Sequence, residues 1–263
     1  MNLPDALRPL AARAERSAVL LDFDGSLSAI VDDPADARVL PEAREALRRL
    51  VAVMGLVGVV SGRPVTVLAG AVDVGGLTLV GQYGLERLER GTVVEDARVA
   101  PFVEAVAAAA DEAERELPGL LVERKGRIAV TVHWRTSPER DAEAVARTDE
   151  IARRHGLTVY ATRMARELRP PVPVDKGTAV EALLDGYDAA VFAGDDRGDL
   201  PAYDALDRLA AAGRLGAAVR VAVDSAEAPP ELLARADLVV DGPVALAAAL
   251  GALADAVSPG APR

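Results

Sequence analysis

Short apolar runs recur along the chain, and helical periodicity fills the stretches between them. The runs are AVLLDFD at 18–24, GLVGVVS at 55–61, TLVGQ at 78–82, AAVFAGD at 189–195, and two more at 218–223 and 237–240. Helical patterns occupy 41–53, 64–72, 176–186, 199–213, 228–236 and 243–257. Strands that alternate with helices read as βαβ units, in which each crossover brings the chain back parallel to the strand before it. The alternation therefore predicts an α/β fold: a Rossmann-like core with a central, mostly parallel sheet flanked by helices. The middle of the chain breaks this rhythm. LERLERGTVVED reads as a hairpin, 99–116 as an Ala/Glu-rich helix, and LLVERKGRIAVTVHWR as a second hairpin about Gly126. A charged helix at 138–155 and the stretch LTVYATRMARELRP follow. Two hairpins and two helices predict a separate α+β layer at 84–170, inserted into a core made of 1–83 and 171–263. The Pro-rich RPPVPVD at 169–175 reads as the return hinge.

Several core runs end on polar residues. Asp22 and Asp24 stand at the carboxyl end of the first run, where open α/β sheets place their ligands. Ionised aspartate is almost never buried without a partner, so something must compensate these two. Spacing of two puts both on one side while the strand lasts, and Gly25 lets the backbone turn and approach a ligand closely. The second run ends in Ser61-Gly62-Arg63, with a hydroxyl that can donate to a phosphoryl oxygen and an arginine beside it. Asp195, Asp196 and Asp199 follow a fourth run, and a hard divalent cation is the simplest group that could hold them together.

Composition adds one sharp fact. Lys125 and Lys176 are the only lysines among 30 basic residues. Lys176 opens a helix, where the macrodipole disfavours a cation and an anion beside it would remove the conflict. Acids outnumber bases by 41 to 30, for a net charge of −11, which argues against nucleic-acid or anionic-membrane partners. Cysteine is absent, excluding disulfides, thiolate metal sites and a cysteine nucleophile. The opening MNLPDALRPLAARAERS lacks the pattern of a secretory signal, and no uncharged apolar run reaches membrane-spanning length, so a cytoplasmic protein is expected.

Taken in order, DFDGS, SGR, DKG and GDDRGD resemble the four signature motifs of the haloacid dehalogenase superfamily of phosphatases. The resemblance implies that Asp22 attacks phosphorus to form an aspartyl-phosphate, while Asp24 serves as acid and then base. It implies Mg²⁺ as cofactor, held by Asp22, Asp195, the Asp24 carbonyl, and Asp199 or Asp196 directly or through water. Ser61 and Lys176 would then stabilise charge on the transferring phosphoryl oxygens, with Gly25 and Arg63 in the substrate-binding set. Ser26 departs slightly from the superfamily, which usually has Thr or Val there.

The insert lies where this superfamily carries a C2-type cap that selects the substrate. Alternation over 127–135 sets Arg127, Thr131, His133 and Arg135 on one face, and Ile128, Val130, Val132 and Trp134 on the other. Glu123 and Lys125 share a face of the partner strand, and Glu167 and Arg169 come from the last one. ERKG…VHWR, ELRPPVPVDKGTAV and GQYGLE are similar to the trehalose-6-phosphate phosphatase family. That resemblance implies binding of glucose hydroxyls by Lys125, His133, Arg135 and Glu167. The expectation is a monomer acting on a small sugar phosphate, with neither nucleic acid nor membrane as partner. Two alternatives stay open: a phosphatase for another sugar phosphate, such as sucrose phosphate or a glucosyl-phosphoglycerate, and a non-catalytic phospho-accepting signalling module.

Overall fold

The strand β1 (Ser17–Leu21) is buried along its whole length, as a strand covered on both faces must be, and this is why its sequence is a continuous apolar run. The structure is a computed structural model and describes residues 2–31, 34–162, 164–225 and 228–258. Before β1 comes the short helix α1 (Arg8–Ala11). After it come α2 (Pro41–Val51), β2 (Leu56–Val60), α3 (Val65–Val72) and β3 (Thr78–Gly81). Pro41 opens α2, where a missing N–H costs nothing. Next is the hairpin β4 (Glu86–Glu89) and β5 (Thr92–Glu95).

The chain then runs through α4 (Val103–Glu116), β6 (Leu121–Lys125), β7 (Ala129–His133), α5 (Asp141–His155), β8 (Thr158–Thr162) and β9 (Ala165–Arg169). It closes with α6 (Lys176–Leu183), β10 (Ala189–Gly194), α7 (Leu200–Ala211), β11 (Ala217–Asp224), α8 (Pro230–Arg235), β12 (Leu238–Asp241) and α9 (Gly242–Val257). Contacts divide the chain into two units, Met1–Val94 with Val174–Arg263, and Glu95–Pro173.

In the larger unit eight strands form one sheet in the order β12-β11-β10-β1-β2-β3-β4-β5. The strands from β12 to β3 are parallel, and β4 is antiparallel to β3. Alternation along β1 splits the core between two faces. Val19 and Leu21 pack with Leu47 and Leu50 of α2 and Leu250 and Leu253 of α9. Ala18 and Leu20 pack with Val180 of α6 and Ala202 and Leu206 of α7. With β1 between β10 and β2, the carboxyl ends of three neighbouring strands open on one side, and the chain order reverses there. Open α/β sheets bind ligands at such switch points.

Two expectations change. The first strand stops at Leu21, so Asp22, Phe23 and Asp24 lie beyond it and strand alternation does not govern Asp22 and Asp24. The hairpin expected in the insert instead extends the large sheet, because Val80 and Gly81 pair with Arg87 and Glu86. The division between units accordingly falls after Val94 rather than at 84, and before Val174 rather than at 171.

The smaller unit holds a four-stranded antiparallel sheet, β6-β7-β9-β8, with α4 and α5. Val130, Val132 and Leu168 form its apolar face and pack on Val106, Ala109 and Ala113 of α4 and Ile151 of α5. Trp134 is buried in the same cluster, and its indole Nε1 donates to Asp141 Oδ1 at 2.8 Å, tying the strand end to the start of α5. Among the described residues no helix is long and apolar enough to cross a membrane.

Candidate active site

Asp22 follows β1 directly. Its backbone N–H donates to Ala193 O at 2.8 Å, extending the pairing with β10 by one residue, and its side chain is buried. Lys176 is the first residue of α6. That helix is fixed by a capping box: Asp175 Oδ1 accepts from Thr178 N at 2.7 Å, and Thr178 Oγ1 accepts from Asp175 N at 3.0 Å. Lys176 is 4% exposed, and its ammonium lies 2.7 Å from Asp22 Oδ1 and 2.6 Å from Asp199 Oδ1. Asp199 Oδ2 accepts from the N–H groups of Asp195 at 2.9 Å and Asp196 at 3.1 Å. Asp195 Oδ1 accepts from Ser26 Oγ at 3.2 Å. Two glycines make room for these carboxylates. A Cβ on Gly194 would sit 2.2 Å from Asp199 Cγ. On Gly25, at φ +75°, it would sit 2.0 Å from Asp195 Oδ2.

One oxygen from each of Asp22, Asp195 and Asp199 falls within 4.8 Å of the others. Burial pushes the Asp22 carboxyl well above the aspartate range; Lys176 opposes that rise and Asp199 adds to it. Burial, then Asp199 and Asp196, push Asp195 up to about 7. Asp199 is also raised, by burial against the pull of Lys176. Burial opposes the charge of Lys176, yet Asp199 and Asp22 hold its ammonium well above the usual lysine value. Lys176 offsets one of the three negative charges and leaves two. An all-oxygen donor set carrying that residual charge fits one hard divalent cation.

The other candidates in this unit lie around this group. Ser61, just past β2, is buried, and its Oγ accepts from Arg63 N at 3.2 Å. Arg63 donates from Nε to Asp24 Oδ2 at 2.7 Å and from Nη2 to Asp24 Oδ1 at 2.6 Å. Its guanidinium carbon is 5.2 Å from the Phe23 ring centroid. Asp24 thus pairs with Arg63 and stands outside the carboxylate group, with its side chain 44% exposed. Asp196 is also outside. Its side chain is turned to its own loop, where Oδ1 accepts from Gly198 N at 2.8 Å.

In the smaller unit the strand register lines up one polar row, because Glu123 is opposite Thr131, Thr131 opposite Glu167, and Glu167 opposite Tyr160. Lys125 Nζ donates to Glu167 Oε2 at 2.6 Å, and Thr131 Oγ1 reaches the same oxygen at 3.3 Å. Arg169 Nε lies 3.1 Å from Glu167 Oε1, and its guanidinium stacks 3.4 Å from the Tyr160 ring centroid. His133 Nε2 is 2.9 Å from Glu123 Oε2. Lys125, His133 and Glu167 therefore share one face, whereas Arg135 is exposed beyond the end of β7. Tyr160 was not among the candidates; its parity with Glu167 across the β8–β9 pair would have pointed to it.

A family model described as trehalose-phosphatase matches residues 20–231. A trehalose-phosphate phosphatase of Mycobacterium tuberculosis (strain H37Rv) is 35% identical over 221 residues, covering 78% of this chain and 56% of that protein. One from Mycobacterium leprae is 35% identical over 225 residues, covering 78% and 52%. The chain thus spans about half the length of these curated relatives. The C-terminal domain of the Candida albicans trehalose-6-phosphate phosphatase superposes with a TM-score of 0.75 at 22% identity, covering 96% of this chain and 97% of that one. That likeness shows a shared fold. On the family match and the identity to these relatives, the chain belongs to the trehalose-phosphatase family.

Proposed function

We propose that this chain is a Mg²⁺-dependent phosphatase that hydrolyses trehalose 6-phosphate to trehalose and phosphate, the closing step of trehalose synthesis. The observation that carries the chemistry is the buried Asp22–Lys176–Asp199 group with Asp195 at the carboxyl end of β1. Asp22 attacks phosphorus, the ester P–O bond breaks, and the leaving sugar oxygen takes a proton from Asp24. Asp24 then takes a proton from water, the water oxygen attacks phosphorus, and the bond to Asp22 breaks to release phosphate. Lys176 and Ser61 stabilise charge on the phosphoryl oxygens. Mg²⁺, held by Asp22, Asp195 and Asp199 with the Asp24 carbonyl, would shield the carboxylates and offset charge on the phosphate.

The smaller unit supports the choice of substrate. Its polar row offers charged and hydroxyl groups already paired with one another, so they stand in fixed positions for sugar hydroxyls. A sugar that bound there would have to exchange these pairings for hydrogen bonds to its hydroxyls, so a ligand lacking a hydroxyl would recover fewer of them. This reading gives Lys125, His133 and Glu167 the glucose-binding role. The membership of the family supports trehalose 6-phosphate over other sugar phosphates.

The test is phosphate release from trehalose 6-phosphate, sucrose 6-phosphate and glucose 6-phosphate, with and without Mg²⁺, beside Asp22→Asn. The expected result is Mg²⁺-dependent turnover favouring trehalose 6-phosphate and abolished in the variant. Preference for another ester would overturn the substrate, and turnover surviving in Asp22→Asn would overturn the mechanism.

A further inference from the structure

We infer that Arg63 is the residue that positions Asp24, and that the turn at 82–86 exists to hold Arg63. The inference rests on the reaction proposed above and assigns two elements which that reaction does not use.

Asp24 differs from the buried Asp22, Ser61 and Lys176 in having a half-exposed side chain. Arg63 grips both of its carboxylate oxygens at 2.6 and 2.7 Å. A planar fork meeting a carboxylate bidentately fixes direction as well as distance, which a lysine cannot do. The arginine is itself held, being only 14% exposed at its side chain and lying over the buried Phe23 ring.

The backbone around Arg63 is braced at three points. Gln82 N donates to Arg63 O at 3.0 Å, and Tyr83 N donates to Ser61 O at 3.0 Å. Val65 N, at the start of α3, donates to Glu86 Oε2 at 2.9 Å, and Glu86 is buried. Gln82 and Tyr83 adopt φ of 49° and 58°, two consecutive non-glycine residues in the left-handed region. That conformation is unfavourable for residues with a Cβ and persists only where the surroundings impose it. Here the strained residues deliver their N–H groups to the two carbonyls that flank Gly62 in the Ser61–Arg63 loop. The GQYGLE stretch thereby acquires a physical task. It holds the loop, the loop presents Arg63, and Arg63 orients the carboxylate that must meet the leaving oxygen. Misplacing a reacting group by about 1 Å can cost on the order of 100-fold in rate.

The test compares Arg63→Gln, Arg63→Lys, Asp24→Asn and the Arg63→Gln/Asp24→Asn double variant, on trehalose 6-phosphate and p-nitrophenyl phosphate. Arg63→Gln should lower kcat by about 10- to 100-fold on both substrates, with KM changed less than about threefold. Arg63→Lys should recover only part of the loss. In the Asp24→Asn background the Arg63 change should cost almost nothing more. Glu86→Gln should move kcat in the same direction by a smaller factor. A raised KM with kcat intact, or losses that multiply in the double variant, would make Arg63 a substrate ligand and overturn the inference. Should the wild type release no phosphate from any ester, the proposed reaction fails. A crystal structure of Arg63→Gln then decides the positioning claim alone: loss of the single Asp24 conformer supports it, and an unmoved Asp24 refutes it.

Discussion

Lys176→Met removes the only cation paired with Asp22 and Asp199 among the described residues, while keeping much of the side chain's volume. Taking one partner from a buried ion pair costs about 3–5 kcal/mol, because the remaining charge is stranded. For a chain of this size 1 kcal/mol corresponds to about 2–4 °C, so the melting temperature at pH 8 in EDTA should fall by roughly 6–20 °C. The loss should depend on pH. Asp22, Asp195 and Asp199 have folded pKa values raised above the unfolded value of 3.8. The native state therefore binds more protons between the two values, and stability falls as pH rises through that window. Lys176 pulls these carboxyls down, so its removal widens the window and the penalty grows with pH. Lys176 itself, raised above 10.5, stays charged over the whole range tested and adds no slope. The Tm difference from wild type should therefore be at least twice as large at pH 8 as at pH 5. Far-UV circular dichroism follows the whole chain. Fluorescence follows Trp134, the single tryptophan, which is buried in the smaller unit and serves as an internal control. A drop below about 3 °C at pH 8, or an equal drop at both pH values, would refute the reading of Lys176 as the charge partner.

Other outcomes follow from the same geometry. Gly25→Ala would place a Cβ 2.0 Å from Asp195 Oδ2 at a φ of +75°, so calorimetry should show divalent-cation binding weakened by about tenfold or more, at a strain cost of about 1–2 kcal/mol; unchanged affinity would mean Asp195 can move freely. Because Asp195 is pushed up to about 7 without a cation, metal must displace a proton below that pH, and Mg²⁺ affinity measured at pH 5.5, 6.5 and 7.5 should weaken steadily with acidity; a flat profile would count against Asp195 as a ligand. Glu167→Ala strips the partner shared by Lys125, Thr131 and Arg169, and steady-state kinetics should show trehalose 6-phosphate turnover reduced by about 30-fold or more with p-nitrophenyl phosphate within about threefold; equal losses on both would remove Glu167 from substrate recognition.

The sequence by itself determined the elements and the residue types at their ends. A short continuous apolar run closed by turn residues reads as a strand buried on both faces, so β1, β2 and β10 were legible from local pattern, as were Asp22, Ser61 and Asp195 at their ends. The alternation in 127–135 likewise identified Ile128, Val130, Val132 and Trp134 as the buried side of β7 and its flanks. Which residues meet was decided by the tertiary structure. Asp195, Asp196 and Asp199 look alike on paper, but the turn sends Asp199 inward to Lys176 and spends Asp196 on the Gly198 N–H. The pairing of Arg63 with Asp24, 39 residues apart, exists because parallel crossovers set β2 beside β1. The hairpin at β4–β5 shows no local sign of its partner, since hydrogen bonding to β3 depends on which sheet edge lies within reach. Local pattern sets secondary structure through short-range sterics and burial, whereas charge pairing in a buried site depends on strand order, a property of the whole sheet.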